Sequence, residues 1–327
     1  MTGPVHTDLS ANKVVRIVTL TNTAETQPHT AVASPTTRRS RRSWVGWAFM
    51  APFMTVFVFV LLAPILYSVY LSVYDTKLIG GTQFVGIDNY IRVMNDPQFW
   101  EGVQRILTFF AIQVPIMIVL ALGAALAIDS ARLRASGFFR IIIFMPYAVP
   151  AVVATLMWGF IFGDRFGLVA NINDFFNADI PSPLTSSLVL LAIANIQVWT
   201  FTGYNMLIFY STLRTIPEEL YEAADLDGAN QWWIIRSIKL PALRGSMVIA
   251  LVFSVIGSFQ LFNEPNVLKG LAPNAISSYF TPNMYAYNLS FSGQQYNYSA
   301  TVALVMGVLT MIVAYSVQHF GTRKDER

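Results

Sequence analysis

Long stretches without any charged residue constrain this chain more than any other feature of its sequence. The chain has 327 residues, with 21 Lys or Arg and 18 Asp or Glu. Six stretches contain none of these four residue types: Ser43–Tyr74, Ile106–Ile128, Ile141–Gly163, Ile180–Leu213, Gly245–Asn263 and Gly270–Thr322. A helix that crosses a bilayer takes about 20 apolar residues. The pattern therefore excludes a soluble globular core and predicts an integral membrane protein.

The fold class that follows is all-α, with about six transmembrane helices, because an unpaired backbone amide is costly in lipid and a spanning segment must be helical. The predicted spans lie at roughly 45–73, 106–128, 139–162, 187–212, 246–263 and 299–320. Pro146 and Pro150 predict a kink in the third span, either static or part of a gate. The polar segment 264–298 is predicted to be an extracytoplasmic loop or to line a cavity.

The basic residues predict how the chain lies in the membrane. If the N-terminus is inside, 16 of the 21 Lys and Arg residues fall on the cytoplasmic side and 5 outside. Cytoplasmic segments of membrane proteins carry such an excess. We expect a basic, disordered cytoplasmic tail over 1–43, a membrane domain over 44–322 and a short cytoplasmic tail over 323–327. The protein is placed in the cell membrane, multi-pass, with both termini in the cytoplasm.

Several kinds of chemistry are excluded by residues that the sequence lacks or scatters. There is no Cys, and the three His residues lie near the two ends of the chain. A disulfide framework or thiolate metal site needs Cys, and a catalytic triad inside the membrane needs a His there. No Lys follows a Gly, so the chain has no P-loop for ATP. We therefore predict no catalytic residue, no metal site and no cofactor bound by this chain.

The segment 214–244 is the longest charged loop between spans on the predicted cytoplasmic side. Pro217 suits the first turn of a helix, and the carboxylates of Glu218 and Glu219 suit its positive end. Gly228 suits the end of that helix. A second short helix is predicted from about Gln231 to just before Pro241. Two short helices linked at Gly228 would then lie across the cytoplasmic face.

This loop also carries a recognisable motif. The sequence EAADLDGANQWWIIRSIKLP has EAA, three residues, Gly, nine residues and Ile-x-Leu-Pro. It resembles the coupling loop of permease subunits in binding-protein-dependent carbohydrate ABC importers, the maltose-type and glycerol-phosphate-type family. The matching positions are Glu222, Ala223, Ala224, Asp227, Gly228, Ile238, Leu240 and Pro241. Residues 47–75 and the segment FVGIDNY at 84–90 are similar to the first of the two permease types in such importers.

The resemblance implies a type I ABC importer permease fold and a set of partners. These are a second, homologous permease, two ATPase subunits that bind ATP and Mg²⁺, an extracytoplasmic solute-binding protein, the lipid bilayer and a sugar; no nucleic acid is expected. In the family the coupling helix sits in a cleft of the ATPase. The two Ala residues would allow close approach, Glu222 would pair with the ATPase, and Trp232 to Ile235 would anchor the second helix to the permease.

Polar side chains inside the spans are candidates for the substrate path. Such groups are costly in lipid and usually face a cavity or another helix. The candidates are Asn195, Gln197, Trp199, Thr202, Tyr204 and Asn205 in the fourth span, and Gln260 and Asn263 in the fifth. Amides, hydroxyls and aromatic rings suit a neutral sugar, and transporter sites often lie near the bilayer midplane. The same groups could instead hold helices together.

Other functions remain open at this point. A permease for a polyol phosphate or another small solute would share the loop motif, although no pair of basic residues lies within the spans. An ion-coupled secondary transporter usually places charged residues in its spans, and the charge-free stretches argue against it. A membrane-embedded enzyme would need Cys, His or intramembrane carboxylates.

Overall fold

The computed structural model describes residues 41–77, 79–130, 133–163 and 167–322. The predicted tails lie outside the described residues, apart from residues 41–43, which are part of the first helix. The chain divides into two units, Met1–Thr55 and Val56–Arg327. In the first unit the described residues belong to the helix α1.

Most of the described residues are in helices. The elements up to residue 176 are α1 (Arg41–Val56), a π-helical segment (Phe57–Leu62), α2 (Ala63–Ser72), strands β1 (Tyr74–Lys77) and β2 (Gly81–Phe84), α3 (Asp88–Met94), α4 (Pro97–Asp129), α5 (Ser136–Phe144), a 3₁₀ turn (Met145–Ala148), α6 (Ala151–Ile161) and α7 (Leu168–Phe176). They are followed by α8 (Val189–Leu213), α9 (Glu218–Leu226), α10 (Gln231–Ile234), a π-helical segment (Ile235–Lys239), α11 (Leu240–Ala242), α12 (Arg244–Phe259), α13 (Asn263–Leu268), α14 (Pro282–Phe291) and α15 (Tyr296–Thr322).

Four helices in the described part of the chain are long and apolar enough to cross a membrane. They are Gly46–Ser72, Pro97–Asp129, Arg244–Leu268 and Tyr296–Gly321, which correspond to the first, second, fifth and sixth predicted spans. The fourth predicted span is α8, which is 25 residues and about 37 Å long. Its polar side chains keep it outside this apolar group.

The third predicted span is not a single helix. It consists of Ser136–Ala148 and Ala151–Ile161, which meet at 95°. Pro146 and Pro150 flank the break, and neither can donate a backbone hydrogen bond. The predicted kink is confirmed, and it is sharp enough to separate two half-length segments. With this pair counted as one span, the described residues hold up to five apolar spans.

The segment 264–298, predicted to be an extracytoplasmic loop or to line a cavity, is helical over about half of its length. It contains α14 and most of α13. Polar side chains fasten it to the end of α12: Thr281 donates to the carbonyl of Leu261 at 3.0 Å, and the Asn283 amide donates to the carbonyl of Phe259 at 2.8 Å. The polar side chains of this segment therefore form hydrogen bonds within the protein as well as contacting solvent.

The segment FVGIDNY has a structural explanation. It forms the end of β2, a turn with Gly86 at φ +59° and the start of α3. The buried side chain of Asn89 donates to the carbonyls of Ser72 and Tyr74, both at 2.9 Å. The bond to Ser72 satisfies a carbonyl that the end of α2 leaves without a helical partner, and the bond to Tyr74 holds the start of β1. One amide thus fixes the corner between α2, the β1–β2 hairpin and α3.

The core of the second unit is built around α4. This helix packs along α8 over much of its length and also contacts α12, α14 and α5. One cluster of buried side chains joins α4 to α8 and α12, through Ala121, Ala125, Met206, Phe209 and Ala250 among others. Any site among these helices is therefore held by a continuous apolar core.

Candidate functional site

The loop 214–244 forms the two-helix structure that its sequence predicts. Glu218 and Glu219 occupy the first turn of α9, directly after Pro217. The helix ends at Leu226 with Asp227 as its C-cap, and Gly228 follows with a φ of +72°, in the left-handed region that favours glycine. The amides of Gly228 and Ala229 donate to the carbonyls of Asp225 and Ala224. This pair of bonds is the Schellman C-cap, which reverses the chain with its carbonyls satisfied.

The EAA residues are divided between two surfaces of α9. Ala224 is buried against the rest of the chain, whereas Glu222, Ala223 and Asp227 are exposed. Leu226 is also exposed, to 89% of its surface. A helix that leaves a glutamate, a small residue and a leucine open to the outside has a surface suited to docking into a cleft.

The second helix of the loop differs from its prediction in two ways. It continues through a π-helical segment and Pro241 to Ala242, where we expected it to end before Pro241. Pro241 lies in the first turn of α11, where a missing amide hydrogen costs least. Trp232 and Trp233 are exposed and do not anchor the helix; the buried side chain here is Ile234.

Lys239 in the Ile-x-Leu-Pro motif was missed by sequence reasoning. Its Nζ lies 2.6 Å from Oδ2 of Asp129 at the end of α4, and the two side chains are 10% and 8% exposed. The other eight charged residues of the 214–244 loop are exposed. Nothing in the spacing of the charges singles out this lysine, because its partner lies 110 residues earlier in the chain.

A cavity of about 300 Å³ lies between α4, α8, α12 and the 3₁₀ turn after α5. Its lining is Phe109, Gln113, Met117, Tyr147, Gln197, Phe201, Tyr204, Asn205, Phe253, Ser254, Ile256, Gly257, Ser258 and Gln260. None of these side chains carries a charge. Amides, hydroxyls and aromatic rings thus contribute to a neutral surface between these helices.

Half of the residues predicted for the substrate path line this cavity. Gln197, Tyr204 and Asn205 of α8 do so, together with Gln260 at the end of α12. With Phe201, the α8 residues recur at the four- and three-residue spacing of one helix face. Asn195, Trp199 and Thr202, which share another face of α8 at helical spacing, do not line the cavity.

The other four predicted residues have different surroundings. Asn195 and Asn263 are exposed. Trp199 packs edge-on against Trp158, with ring centroids 5.8 Å apart. The Thr202 hydroxyl donates to the carbonyl of Val198 one turn earlier. The placements of Trp199 and Thr202 suit helix packing, the alternative interpretation of the polar residues. The exposed positions of Asn195 and Asn263 fit neither interpretation.

Tyr147 and Gln113 are the main cavity residues that sequence reasoning missed. The Tyr147 ring stacks on Tyr204 with centroids 4.9 Å apart, and it meets Phe201 edge-on at 5.8 Å. Gln113 is buried in α4 and directs its amide to the sulfur of Met117 at 3.2 Å. A glutamine inside a charge-free stretch was an available signal, whereas the orientation of Tyr147 depends on the break between α5 and α6.

Hydrogen bonds set the direction of two amides in the lining. Asn205 donates to the carbonyl of Phe201 at 3.0 Å, and Gln197 is hydrogen-bonded to the buried carboxyl of Glu264. The carboxyl is therefore held by an amide and does not appear in the lining. Held amides beside aromatic rings can bind hydroxyl groups while the rings cover C–H surfaces.

Comparison with solved structures shows the same fold in a transporter. The chain superposes on a chain of a bacterial alginate ABC transporter, determined in complex with an alginate pentasaccharide-bound periplasmic protein, with a TM-score of 0.76. Sequence identity is 19%, and the match covers 86% of this chain and 95% of the other.

Relatives of known sequence match over nearly their whole length. The lactose transport system permease protein LacF of Rhizobium radiobacter is 33% identical over 291 residues, covering 85% of this chain and 94% of the relative. The trehalose transport system permease protein SugA of Mycobacterium tuberculosis is 29% identical over 301 residues, covering 91% and 95%.

A family model matches the part of the chain that contains α8, the coupling motif and α12, the last of which lines the neutral cavity. It describes the inner membrane component of binding-protein-dependent transport systems, and it covers residues 117–325. The motif at Glu222 to Pro241 and the fold of the helix bundle agree with this match. The chain is therefore a member of the binding-protein-dependent transport system inner membrane component family.

Proposed function

We propose that this chain is the membrane permease subunit of an ATP-driven importer for a neutral mono- or oligosaccharide. It forms an alternating-access path together with a second, homologous permease. Two ATPase subunits bind ATP and Mg²⁺ and supply the energy, and an extracytoplasmic binding protein delivers the sugar. Both termini and the 214–244 loop lie on the cytoplasmic side, as the distribution of Lys and Arg indicates.

The observation that carries this proposal is the neutral cavity. It combines four side-chain amides, of Gln113, Gln197, Asn205 and Gln260, with the stacked rings of Tyr147 and Tyr204. A site without Lys or Arg gives a phosphate group no charge-assisted hydrogen bond, which disfavours a polyol phosphate. The names of relatives agree, since they transport lactose, trehalose, trehalose/maltose and diacetylchitobiose.

The coupling surface supports the ATP-driven part of the proposal. Glu222 and Ala223 are exposed on α9, whose orientation is set by the Gly228 cap. We infer that this surface docks on an ATPase subunit and that no ATPase site lies in the permease itself. Energy would then reach the cavity through α9 and the helices that contact it.

Changing Glu222 to Ala together with Gly228 to Val is expected to uncouple ATP hydrolysis from sugar uptake. The first change removes the exposed carboxylate, and a β-branched residue at φ +72° is strained by about 1–2 kcal/mol. The complete complex, reconstituted in vesicles with radiolabelled lactose or trehalose, should hydrolyse ATP but accumulate about tenfold less sugar per ATP, since mutations that alter coupling act on the order of 1 kcal/mol.

A control with the same chemical changes elsewhere separates coupling from general damage. Glu101 is exposed in an ion pair with Arg105, and a Cβ added at Gly123 would meet no atom within 4 Å. The pair Glu101→Ala and Gly123→Val should leave the sugar accumulated per ATP at the native value. Native accumulation by the loop variant would contradict the assignment of α9 as the coupling helix.

For the sugar site, Gln260→Ala is expected to raise the sugar concentration for half-maximal uptake about tenfold. Loss of one or two hydrogen bonds to sugar hydroxyls costs about 1 to 1.5 kcal/mol. Asn195→Ala is the matched control, because this amide is exposed and outside the cavity. Uptake should be measured with binding protein in excess, so that its own affinity does not limit the rate. Equal kinetics of both variants would mean that the sugar passes elsewhere.

A further inference from the structure

The ion pair between Lys239 and Asp129 is unusual in its location. Its two atoms are 2.6 Å apart and both side chains are about nine-tenths buried. The other ion pair found within the described residues, Arg105 with Glu101, is an exposed contact between neighbouring turns of α4. The buried pair instead joins α4 to the helix that follows the coupling helix, across 110 residues of sequence.

Stability alone does not explain this pair. Asp129 is the last residue of α4, where the negative end of the helix dipole disfavours a carboxylate. Burial of two charges costs solvation free energy, and well-packed apolar residues are often equal or better. The pair therefore lowers stability but fixes the point at which the two helices touch. Buried ion pairs are found in elements that must keep one register.

The coupling helix α9 reaches the same point. The Lys239 ammonium lies 5.5 Å from the ring centre of Tyr221, the residue that precedes Glu222. Burial and then the negative charge of Asp129 raise the pKa of Tyr221 above its usual value, which is consistent with one shared environment. Three elements thus meet at Lys239: its own helix, α9 and the end of α4.

An open space surrounds this contact. A cavity of about 540 Å³ is lined by Asp129, Lys239 and Tyr221, together with residues at the end of α8 and the starts of α9 and α10. The first turn of α9 is therefore separated from the ends of α4 and α8 by space over much of this region. A displacement of α9 is then transmitted to α4 most directly by the side chains that touch across this space.

The far end of this connection is the sugar cavity. Gln113 and Met117 line that cavity and lie on α4, as does Asp129. Met117 lies on the Asp129 side of Pro115, the proline inside α4, and the 12 residue steps from Met117 to Asp129 span about 18 Å of helix. A helical segment without a break carries a displacement at one end to the other.

We propose that the Asp129–Lys239 ion pair is the positioning link that transmits movement of the coupling helix to α4 and so to the sugar cavity. The inference rests on the proposed function, since it needs an importer driven by an ATPase at α9. The two residues touch neither sugar nor ATP. They determine the point at which the 214–244 loop contacts the helix bundle.

The test is the amount of sugar accumulated per ATP by the complete reconstituted complex, with radiolabelled lactose or trehalose as the probe. Lys239→Met and Asp129→Asn should each lower this ratio about tenfold, because each single change leaves one buried charge without its partner. Lys239→Arg, which keeps the charge, should stay within about twofold of the native ratio. A merely structural role would lower uptake and ATP hydrolysis together and leave the ratio unchanged.

The double variant Asp129→Leu with Lys239→Met tests the proposed link if the single variants do not assemble. It removes both buried charges, so assembly and melting temperature should return to native values. The ratio should nevertheless stay low, because the directed contact is gone. A native ratio in this double variant overturns the link. Glu101→Gln is the matched control and should couple normally, while a native complex that moves no sugar would contradict the proposed function instead.

Discussion

Replacement of Gly203 by alanine is expected to prevent normal assembly of the protein. A Cβ at this position would overlap the carbonyl oxygen of Ile143 and lie 2.7 Å from the Cα of Phe144. Both obstacles are backbone atoms of α5, so no side chain can rotate away. Overpacking of this kind costs about 3 kcal/mol, and α8 would have to move away from α5.

The same displacement would reach the sugar cavity. The rings of Tyr204 in α8 and Tyr147 in the 3₁₀ turn after α5 stack next to this crossing, with centroids 4.9 Å apart. Movement of α8 away from α5 would therefore separate them. We therefore expect the Gly203→Ala complex to have a much lower yield and melting temperature, and any assembled fraction to lose uptake. Both quantities can be measured on detergent-purified complex and on vesicles made from it.

Gly123→Ala is the matched control for this substitution. Gly123 also lies within a long helix, but an added Cβ there meets nothing within 4 Å. Alanine is the better helix former by about 0.5–1 kcal/mol, so the control should be neutral or slightly more stable. If Gly203→Ala melts and transports like the control, then the close crossing of α5 and α8 does not exist in the assembled protein.

Replacement of Asp96 by alanine is expected to be the second most damaging change. The carboxylate of Asp96 caps α4 through the amide of Gln98, and its Oδ2 accepts hydrogen bonds of 2.6 Å from both Tyr285 and Tyr298. Hydrogen bonds to a charged group are stronger than neutral ones. Their loss, with that of the cap, should destabilise the junction of α4, α14 and α15 by about 3 kcal/mol.

The contribution of Asp96 should also depend on pH. Burial disfavours the charged form, but the hydrogen bonds outweigh it and hold the pKa of Asp96 below its usual value. The stabilisation is therefore complete above the unfolded pKa of about 4 and is lost as the pH falls through the lower folded pKa. The melting temperatures of native and Asp96→Asn complexes should differ at neutral pH and converge in acid.

Asp88→Asn provides the comparison for this pH series. Asp88 is an exposed carboxylate in the first turn of α3 and lies close to Asp96 in sequence. Its loss should change the melting temperature little at any pH. A difference between native and Asp96→Asn complexes that stays constant down to strong acid would show that the charge of Asp96 is not what stabilises the junction.

The local features of the coupling loop could be predicted because they depend on neighbouring residues. Pro217, the two glutamates after it and Gly228 specify a start and an end, and the structure has both. The extent of the second helix could not be predicted, because a proline after a π-helical turn is compatible with continuation. The Lys239–Asp129 contact depends on tertiary packing, which periodicity does not reveal.

The sugar cavity shows a similar limit. Helical periodicity divides the polar residues of α8 into faces, but it does not say which face meets α4 and α12. The more conspicuous face, with Trp199, packs against Trp158, while the face with Gln197 and Tyr204 lines the cavity. The break at Pro146 and Pro150 was visible in the sequence. Its 95° angle, which brings Tyr147 to the cavity, depends on the surrounding helices.

The break between α5 and α6 affects how the sugar path can differ between related permeases. Where two half-length helices meet, the last carbonyls of one and the first amides of the other lack intrahelical partners. These groups belong to the backbone, so mutation of side chains does not remove them. Substitutions of Tyr147 could therefore alter the shape of the lining from one lineage to another, while the polarity of the break persists.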